Sequence, residues 1–391
     1  MFHPVCSERL NGLSSAVFSE IDALRRAEEA KGRDIITLSI GSPDLAPAPH
    51  IVDALCNAAR EGHQYRYALS RGKSELLEAM AQWYQDKFAV TLCPETEVHT
   101  LMGSQDGLAH IALCLLNPGD VVLVPDPGYP IFSAGPLVAG AELYHMPLRK
   151  ENEFLPDLEA IPADIRKRAK LMILNYPNNP LAAVANEEFF RKVVAFAQQN
   201  EIVVCHDFAY SELVFDGYRP PSFLATPGAK EVGIEFHSLS KTYNMAGCRV
   251  GFALGNAEVI SYLGRLKSNF DYGIFLPVQE AAIAALRGPQ QAVLDTAAIY
   301  QRRRDLLIDG LAACGWQIPK PKGTMFVWAP VPTKETSMEF TLSWLREAGV
   351  AVVPGSAFGA QGEGYVRIAL VEEEASLQKA VDRTVQWLKK G

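Results

Sequence analysis

The sequence predicts an α/β protein with a mostly parallel central sheet flanked by helices, together with a smaller α+β unit. Short apolar runs rich in β-branched residues alternate with segments of helical spacing, which is typical of βα units. Polar motifs directly follow several of these runs, where open α/β sheets gather their ligands. The 391 residues leave room for two or three structural units at roughly 150 residues each.

The predicted strands lie in the middle of the chain and share an apolar composition. They cover residues 121–124, 171–174, 202–205, 235–239 and 250–254. A helix is predicted after Gly103, because Leu108, Ile111 and Leu115 form one apolar stripe. A second helix is predicted to begin near Asn186, whose side chain can accept hydrogen bonds from the free amides of the first turn.

The last hundred residues follow a different pattern. An amphipathic, arginine-rich helix is predicted near residues 300–311, followed by short strands at 325–329 and 365–370 and a closing helix. This order of elements indicates a small α+β unit at the carboxyl end of the chain.

Gly288 and Pro289 mark a boundary in the chain. We predict a large domain over residues 46–288 and a small domain over residues 289–391. The first segment, residues 1–45, is expected to join the small domain.

Charge argues against polyanionic partners. The chain carries 37 Lys and Arg against 45 Asp and Glu, a net charge of -8, so we expect neither nucleic acid nor an anionic membrane as a partner. Two basic clusters are predicted to be solvated helix faces. They contain Arg166, Lys167, Arg168 and Lys170, and Arg302, Arg303 and Arg304.

The cysteines indicate a reducing compartment. There are 7, an odd number, and no two have the spacing of a zinc site or a redox motif, so buried free thiols are expected. The start of the chain shows no leader pattern, and no run of about 18 apolar residues occurs. We therefore expect a cytoplasmic protein without a membrane span.

Five polar motifs follow predicted strands, and they are the most informative feature of the sequence. They are GSQDG from Gly103, PDPGYP from Pro125, NYPNNP from Asn175, HDFAY from His206 and SLSKTYNMAGCRVG from Ser238. Because the carboxyl ends of parallel strands meet at one edge of a sheet, the motifs are expected to converge on one crevice.

The lysine of the last motif has two interpretations. Lys241 follows Ser238 and Ser240 and precedes Arg249 by eight residues, before an apolar run that should be buried. A surface lysine in a loop is one interpretation. The other is an amine for Schiff-base chemistry, which must lose its proton; burial and a second cation nearby lower the pKa of such a lysine. The agreement of the other motifs favours the second.

The other motifs add a phosphate site and a carboxylate. The amides of Gly103 and Ser104 open a helix and can hold a phosphate, although small residues also begin many helices without a ligand. Asp207 ends a central strand, as a member of an ion pair or as the partner of a buried cation such as a protonated pyridine nitrogen. His206 is expected to be a satisfied buried histidine, since no further metal ligands are suitably spaced.

Taken together, the motifs resemble those of the class I/II aminotransferases of pyridoxal-phosphate (PLP) fold type I. The resemblance extends from SIGSPD near residue 40 to the C-terminus, and its motifs occur in the family's order. The residues that carry it are Asn179, Asp207, Tyr210, Lys241, Arg249 and, in YVRIAL, Arg367.

The resemblance implies PLP as the cofactor and a role for each residue around its ring. Lys241 would form the Schiff base and Asp207 would pair with the pyridine nitrogen. Asn179 and Tyr210 would hydrogen-bond the ring oxygen, and Tyr129 would stack on the ring.

The resemblance also implies the phosphate site and a dimer. Ser238, Arg249 and the backbone amides of Ser104 and Gln105 would bind the phosphate, with Tyr67 reaching in from a second subunit. The chain is therefore expected to form a homodimer.

For the substrate, the resemblance implies that Arg367 clamps the α-carboxylate next to Asn179 and the backbone near Gly41. A guanidinium matches a carboxylate with two parallel hydrogen bonds. The released Lys241 amine would then carry the proton from Cα to the cofactor in a 1,3-proton shift. The catalytic residues implied are Lys241, Asp207 and Tyr210.

The chain departs from the family pattern in two places. The family string Asn-Pro-Thr-Gly ends here in Leu181 and Ala182, and Cys248 replaces an aromatic residue before Arg249. Neither change removes an expected catalytic atom, but both concern loops near the site.

The expected reaction is transfer of an amino group between an L-amino acid and a 2-oxo acid. GSQDGLAH and HDFAYSELVFDGYRPPSF are similar to LL-diaminopimelate aminotransferases, with 2-oxoglutarate as the acceptor, whereas NYPNNP and SKTYNMAG equally resemble methionine, aspartate or alanine enzymes. The sequence does not identify a second arginine for a distal carboxylate.

Other classes of protein are alternatives. A β-lyase or decarboxylase would keep the cofactor and break another bond. A nucleotide-linked dehydrogenase would need G-x-G-x-x-G after a strand, which the sequence lacks. A PLP-dependent DNA-binding sensor would need an additional helix-turn-helix domain, and the aminotransferase pattern begins almost at residue 1.

Overall fold

A computed structural model describes residues 5–10, 12–13 and 16–389. The strands of the described chain are β1, Ile36–Thr37; β2, Val98–Leu101; β3, Val121–Asp126; β4, Glu142–Pro147; β5, Ala169–Asn175; β6, Val203–Asp207; β7, Gly233–Ser238; β8, Gly251–Gly255; β9, Phe326–Pro330; β10, Val350–Ala351; β11, Val353–Pro354; and β12, Tyr365–Ala369.

The α-helices of the described chain complete the architecture. They are α1, Ala16–Ala30; α2, Pro49–Ala59; α3, Ser74–Phe88; α4, Ser104–Leu115; α5, Ile131–Ala139; α6, Ala163–Arg168; α7, Glu187–Asn200; α8, Ala229–Val232; α9, Leu239–Thr242; α10, Ala257–Phe270; α11, Leu276–Arg287; α12, Gln291–Ala312; α13, Ser337–Ser343; and α14, Glu374–Leu388. A single π-helical turn, Trp344–Ala348, follows α13.

The central sheet has seven strands in the order β2-β8-β7-β6-β5-β3-β4. Strand β8 is antiparallel to both of its neighbours, and the other pairings are parallel. This arrangement confirms the predicted α/β class, and each of the five predicted strands overlaps a strand of the sheet.

Both faces of the central sheet are buried, as a parallel sheet covered by helices requires. Along β5, Met172 and Leu174 belong to one apolar cluster, whereas Leu171 and Ile173 belong to another. The first cluster includes residues of α3 and α7, and the second includes residues of α4 and α10. The period of two along the strand therefore separates the two halves of the core.

Two helix predictions are confirmed in detail. In α4, Leu108 and Ile111 are buried on the face toward the sheet. At the start of α7, the Asn186 side chain accepts a hydrogen bond from the Phe189 amide at 2.9 Å.

The small unit combines β9, β11 and β12 in an antiparallel sheet with α12, α13 and α14. Strand β1 from the start of the chain pairs in parallel with β10 near the end, with Ile36 opposite Val350. That pairing supports the proposal that residues 1–45 join residues 289–391, with 46–288 as the large domain.

The prediction that Arg303 and Arg304 lie on a solvated face was wrong. Both side chains of α12 are buried, because each pairs with a carboxylate from a distant loop. Arg303 donates to both oxygens of Asp44 at 2.8 and 2.7 Å, and Arg304 donates to Asp216 at 2.6 and 3.1 Å. Arg302 is exposed, as predicted.

The cysteines and the helices test two further expectations from the sequence. Cys205 is a buried thiol, but Cys6, Cys56 and Cys93 are exposed, so the expectation of buried thiols was wrong for these three. Among the described helices, none combines the length and apolar character that a bilayer span requires.

Candidate active site

A cavity of about 670 Å³ lies at the carboxyl ends of the parallel strands. It brings together eleven of the twelve residues predicted for the site. Those eleven are Gly41, Ser104, Gln105, Tyr129, Asn179, Asp207, Tyr210, Ser238, Lys241, Arg249 and Arg367. The convergence follows from the sheet, because β2, β5, β6 and β7 run in the same direction and each ends at this crevice.

The lysine of the site is placed by the turn between β7 and the short helix α9. The half-buried Lys241 side chain donates from Nζ to the carbonyl oxygen of Gly41 at 2.9 Å. Burial, followed by the positive charges of Arg249 and Arg367, lowers the pKa of Lys241 to about 8. About a tenth of the amine is therefore neutral and nucleophilic at pH 7, far more than for a lysine of ordinary pKa.

Asp207 ends strand β6 and is buried at the floor of the cavity. One carboxylate oxygen accepts a hydrogen bond from the Ala209 amide at 3.2 Å. Burial raises the pKa of this carboxyl to about 6. A cation placed above Asp207 would stabilise the ionised form and would itself stay protonated.

The neighbouring His206 is satisfied within the protein, as predicted. Its Nε2 accepts from the Tyr176 amide at 3.2 Å, and Nδ1 lies 2.8 Å from an oxygen of buried Glu235. These contacts assign the proton to Nδ1. Among the described residues, no group of three or more His, Cys, Asp and Glu side chains could hold a metal ion.

Asn175, which the sequence analysis did not single out, connects Asp207 to Asn179. Its Nδ2 donates to the Asp207 carbonyl oxygen at 2.8 Å, and its Oδ1 accepts from the Asn179 amide at 2.8 Å. Its position as the first residue of NYPNNP, at the end of a predicted strand, was the available signal.

Arg367 lies on β12 and is buried in the wall of the cavity. It donates to Asn179 Oδ1 at 3.0 Å and to the Ser39 carbonyl oxygen at 2.8 Å. Its guanidinium carbon lies 4.3 Å from the ring centre of Phe326 and 4.8 Å from that of Phe358. Burial lowers the pKa of Arg367 to about 10, so the group remains a cation at neutral pH.

The predicted phosphate site lies where α4 begins. Gly103 precedes the helix with a φ of 78°. A Cβ atom at this position would lie 2.3 Å from Arg249 Nη2. Only glycine therefore lets the guanidinium pack directly against the backbone here. The free amides of the first helical turn and the Arg249 cation thus face a common space, an arrangement that suits a phosphate.

Two tyrosines complete the cavity. Tyr129 is half-buried, and its hydroxyl donates to Gln105 Oε1 at 3.4 Å. Tyr210 is buried against Phe326, with ring centres 5.9 Å apart. Burial raises the pKa of Tyr210 well above its usual value, so its hydroxyl stays a proton donor.

This donor set fits PLP. An amine of lowered pKa, a buried carboxylate, two hydrogen-bond donors for a ring oxygen and a cationic helix terminus each match one part of that molecule. The contact at Gly103 supplies an independent check, because Arg249 packs so closely against this glycine that a Cβ atom would clash with the guanidinium.

Tyr67 is the one predicted residue that does not line the cavity of this chain. Its side chain is 84% exposed, and its ring lies 4.8 Å from that of Tyr272. The structure of one chain therefore does not bring Tyr67 to the phosphate site.

The two departures from the family pattern lie beside the cavity. Leu181 is buried with Val353 and Phe358 in a small apolar cluster. Ala182 has a φ of 53°, a left-handed conformation in which glycine is ordinarily found. Cys248 is half-buried.

Four further cavity residues, all on α1, carry no recognisable motif. Ile21, Asp22, Arg25 and Arg26 also line the cavity. Sequence reasoning could not find them, since helix spacing alone does not show which part of a fold a terminal helix covers.

Comparison with known proteins shows the family of the chain. Residues 33–383 match the aminotransferase class I and II family. An LL-diaminopimelate aminotransferase of Moorella thermoacetica is 50% identical over 377 residues, which are 96% of this chain and 97% of the relative.

Solved structures agree as well. Substrate-bound BacF of Bacillus subtilis is 41% identical with a TM-score of 0.94, over 98% of each chain. A probable N-succinyldiaminopimelate aminotransferase of Thermus thermophilus is 37% identical with a TM-score of 0.90, over 95% of this chain and 100% of the other. The chain therefore belongs to the class I and II aminotransferase family and is a PLP-dependent aminotransferase of fold type I.

Proposed function

We propose that the protein transfers an amino group from LL-diaminopimelate to 2-oxoglutarate. The observation that carries the proposal is one cavity that joins the amine of Lys241, the carboxylate of Asp207 and the guanidinium of Arg367. The choice of donor rests on the similarity to relatives named LL-diaminopimelate aminotransferase, 44–50% identical over at least 96% of this chain.

In this proposal, Lys241, Asp207 and the phosphate site hold the cofactor. Asp207 would hold the protonated pyridine nitrogen, Tyr210 and Asn179 the ring oxygen, and Arg249 the phosphate. Around this core, Tyr129 would cover the ring, and Ser238 with the amides of Ser104 and Gln105 would donate to the phosphate. When bound, PLP supplies an electron sink for the charge that develops at the substrate Cα.

Arg367 would bind and orient the substrate. Its guanidinium donates to Asn179 and Ser39 and packs against the rings of Phe326 and Phe358. The side chain is therefore already ordered, and little side-chain entropy remains to be lost when a carboxylate binds. Gly41 lines the same cavity and accepts a hydrogen bond from Lys241 Nζ, so a substrate carboxylate bound near Gly41 would lie close to the base.

Lys241 would serve as the base. The lowered pKa of Lys241 leaves its Nζ able to accept a proton from Cα once the substrate occupies the site. Burial of Lys241, followed by the positive charges of Arg249 and Arg367, lowers its pKa and so keeps the amine from being permanently protonated.

We further propose a cytoplasmic homodimer in which Tyr67 reaches the phosphate site of the partner. An exposed group of large apolar side chains around Tyr67 supports this interface. The group consists of Tyr65, Tyr67, Leu69, Tyr272 and Phe275. Sedimentation should show a dimer, and a fully active monomer would contradict this part of the proposal.

The function is tested by a donor screen against 2-oxoglutarate and pyruvate. With LL-diaminopimelate, one equivalent of glutamate should form for each donor consumed, without ammonia or carbon dioxide. Release of ammonia or carbon dioxide would instead identify a β-lyase or a decarboxylase. A clear preference for methionine, aspartate or alanine would refute the choice of donor.

A further inference from the structure

We propose that Asp22 and Arg26, on helix α1, form the subsite that recognises the far end of the substrate: Arg26 binds its distal carboxylate and Asp22 its distal ammonium. This inference rests on the proposed function, since it takes a diamino diacid as the donor. It assigns the second arginine that the sequence alone could not identify.

The first step of the argument is location. Asp22, Arg25 and Arg26 line the same cavity as Lys241 and Arg367. They lie on a helix from the start of the chain, whereas the cofactor and α-carboxylate residues come from the sheet and from β12. A substrate held by Arg367 at one end therefore has charged groups of α1 within the cavity for its other end.

The second step is charge. LL-diaminopimelate carries an ammonium and a carboxylate at each end, so the end remote from the reaction needs one anionic and one cationic partner. Asp22 and Arg26 are one of each. A subsite for 2-oxoglutarate needs only a cation, because that acceptor has a distal carboxylate and no distal amine.

The third step is the arrangement of the cluster. Arg25 donates to one Asp22 oxygen through Nε at 3.1 Å and Nη2 at 2.6 Å, and to Glu29 through Nη1 at 2.5 Å. Its side chain is 17% exposed. Arg25 is therefore fixed between two carboxylates and acts as a positioning residue that orients Asp22.

Arg26 is held much less tightly. It donates through Nη2 to the other Asp22 oxygen, and its side chain is 72% exposed. A guanidinium has five N–H donors in a planar fork, so this contact leaves donors for a ligand carboxylate. Ligand binding would then replace the Asp22–Arg26 pair by two pairs, Arg26 with carboxylate and Asp22 with ammonium.

The test compares three donors that differ only at the distal end. LL-diaminopimelate has both distal groups, L-2-aminopimelate lacks the distal ammonium, and L-lysine lacks the distal carboxylate. Each is assayed with wild-type enzyme, Asp22→Asn, Arg26→Gln and a control, Glu20→Gln, which removes an exposed charge of α1 outside the cavity lining.

We expect Asp22→Asn to lower kcat/KM for LL-diaminopimelate about 10- to 100-fold, the value of a hydrogen bond between charged groups, and to leave L-2-aminopimelate within about threefold. Arg26→Gln should lower kcat/KM for both pimelates by a similar factor and leave L-lysine unchanged. Retained turnover of L-2-aminopimelate by Asp22→Asn, and of L-lysine by Arg26→Gln, shows that each variant is folded.

A binding measurement gives a second readout. Pimelate has both carboxylates but no amine and cannot react, so calorimetry reports its dissociation constant directly. Arg26→Gln should weaken pimelate binding about 10-fold or more, whereas Asp22→Asn should not weaken it. Equal effects of both variants on all three donors, or none on any, overturn the inference.

The donor series separates this inference from the function it rests on. If wild-type enzyme does not prefer LL-diaminopimelate over the two analogues, the substrate proposal and the subsite both fail. If wild-type enzyme shows that preference and the α1 variants keep it, the subsite alone fails.

Discussion

Lys241 Nζ lies 2.9 Å from the carbonyl oxygen of Gly41, a residue 200 positions earlier in the chain. The contact joins the turn after β7 to the segment after β1, which pairs with the small unit. The amine is thus held at the junction where cofactor and substrate are expected to meet.

The lowered pKa of Lys241 predicts the pH dependence of cofactor loading. Only the neutral amine attacks an aldehyde, so the rate at which apoenzyme takes up PLP covalently should rise about tenfold per pH unit below pH 8 and level off above it. Stopped-flow absorbance measures this rate. Nα-acetyl-lysine, which has a free ε-amine of ordinary pKa, is the control, and an enzyme rate that climbs to pH 10 as in the control would contradict the lowered pKa.

Replacement of Arg367 should separate substrate binding from cofactor binding. We expect Arg367→Gln to lower kcat/KM for every amino donor by about 30- to 5,000-fold, because loss of one partner of a buried charge-assisted pair typically costs about 2–5 kcal/mol. The dissociation constant for PLP should change less than about threefold. Arg367→Lys restores the charge but not the planar fork, so it should recover only part of the loss. An unchanged KM in the glutamine variant would remove Arg367 from the substrate site.

Gly103→Ala tests the phosphate cradle, and Gly32→Ala is its matched control. Both glycines have positive φ values, 78° and 81°, so both variants should lose stability, and Gly103→Ala should lose more because a ψ of 157° places Gly103 in a region that essentially only glycine adopts. Only at Gly103 would the new Cβ meet Arg249. Fluorescence titration should therefore show PLP affinity weakened about 10-fold or more in Gly103→Ala alone. Equal affinities in the two variants would refute the claim that Gly103 and Arg249 form the phosphate site.

Ala182→Gly is expected to stabilise the protein. Replacing alanine by glycine relieves the cost of the left-handed conformation, about 1–2 kcal/mol. Glycine loses more backbone entropy on folding, which offsets about 0.5–1 kcal/mol of that gain. Denaturant unfolding should show a net gain of about 0.5–1 kcal/mol. The control, Ala183→Gly, has no positive φ and should destabilise. A loss of stability in Ala182→Gly would show that the alanine methyl packs favourably.

The sequence predicted the cofactor side of the site because that side is built from local motifs. Asp207 and Ser238 each end a strand of one parallel group and Asn179 follows a third strand of it, so the geometry of the sheet brings them together. Correct prediction of the strands was therefore enough to predict which residues meet at the site.

Features that depend on distant partners could not be predicted in this way. Arg303 and Arg304 have the sequence pattern of a solvated helix face, and only their pairing with Asp44 and Asp216 explains their burial. The contribution of Asp22 and Arg26 to the cavity depends in the same way on where α1 packs, which no local pattern encodes.

The central claim is that Lys241 binds PLP covalently, and peptide mass spectrometry after borohydride reduction tests it most directly. Wild-type enzyme loaded with PLP should carry a reduced pyridoxyl group on the peptide that contains Lys241, and Lys241→Ala should carry none and show no turnover. A reduced adduct on another lysine, no adduct at saturating PLP, or wild-type turnover in Lys241→Ala would contradict the account.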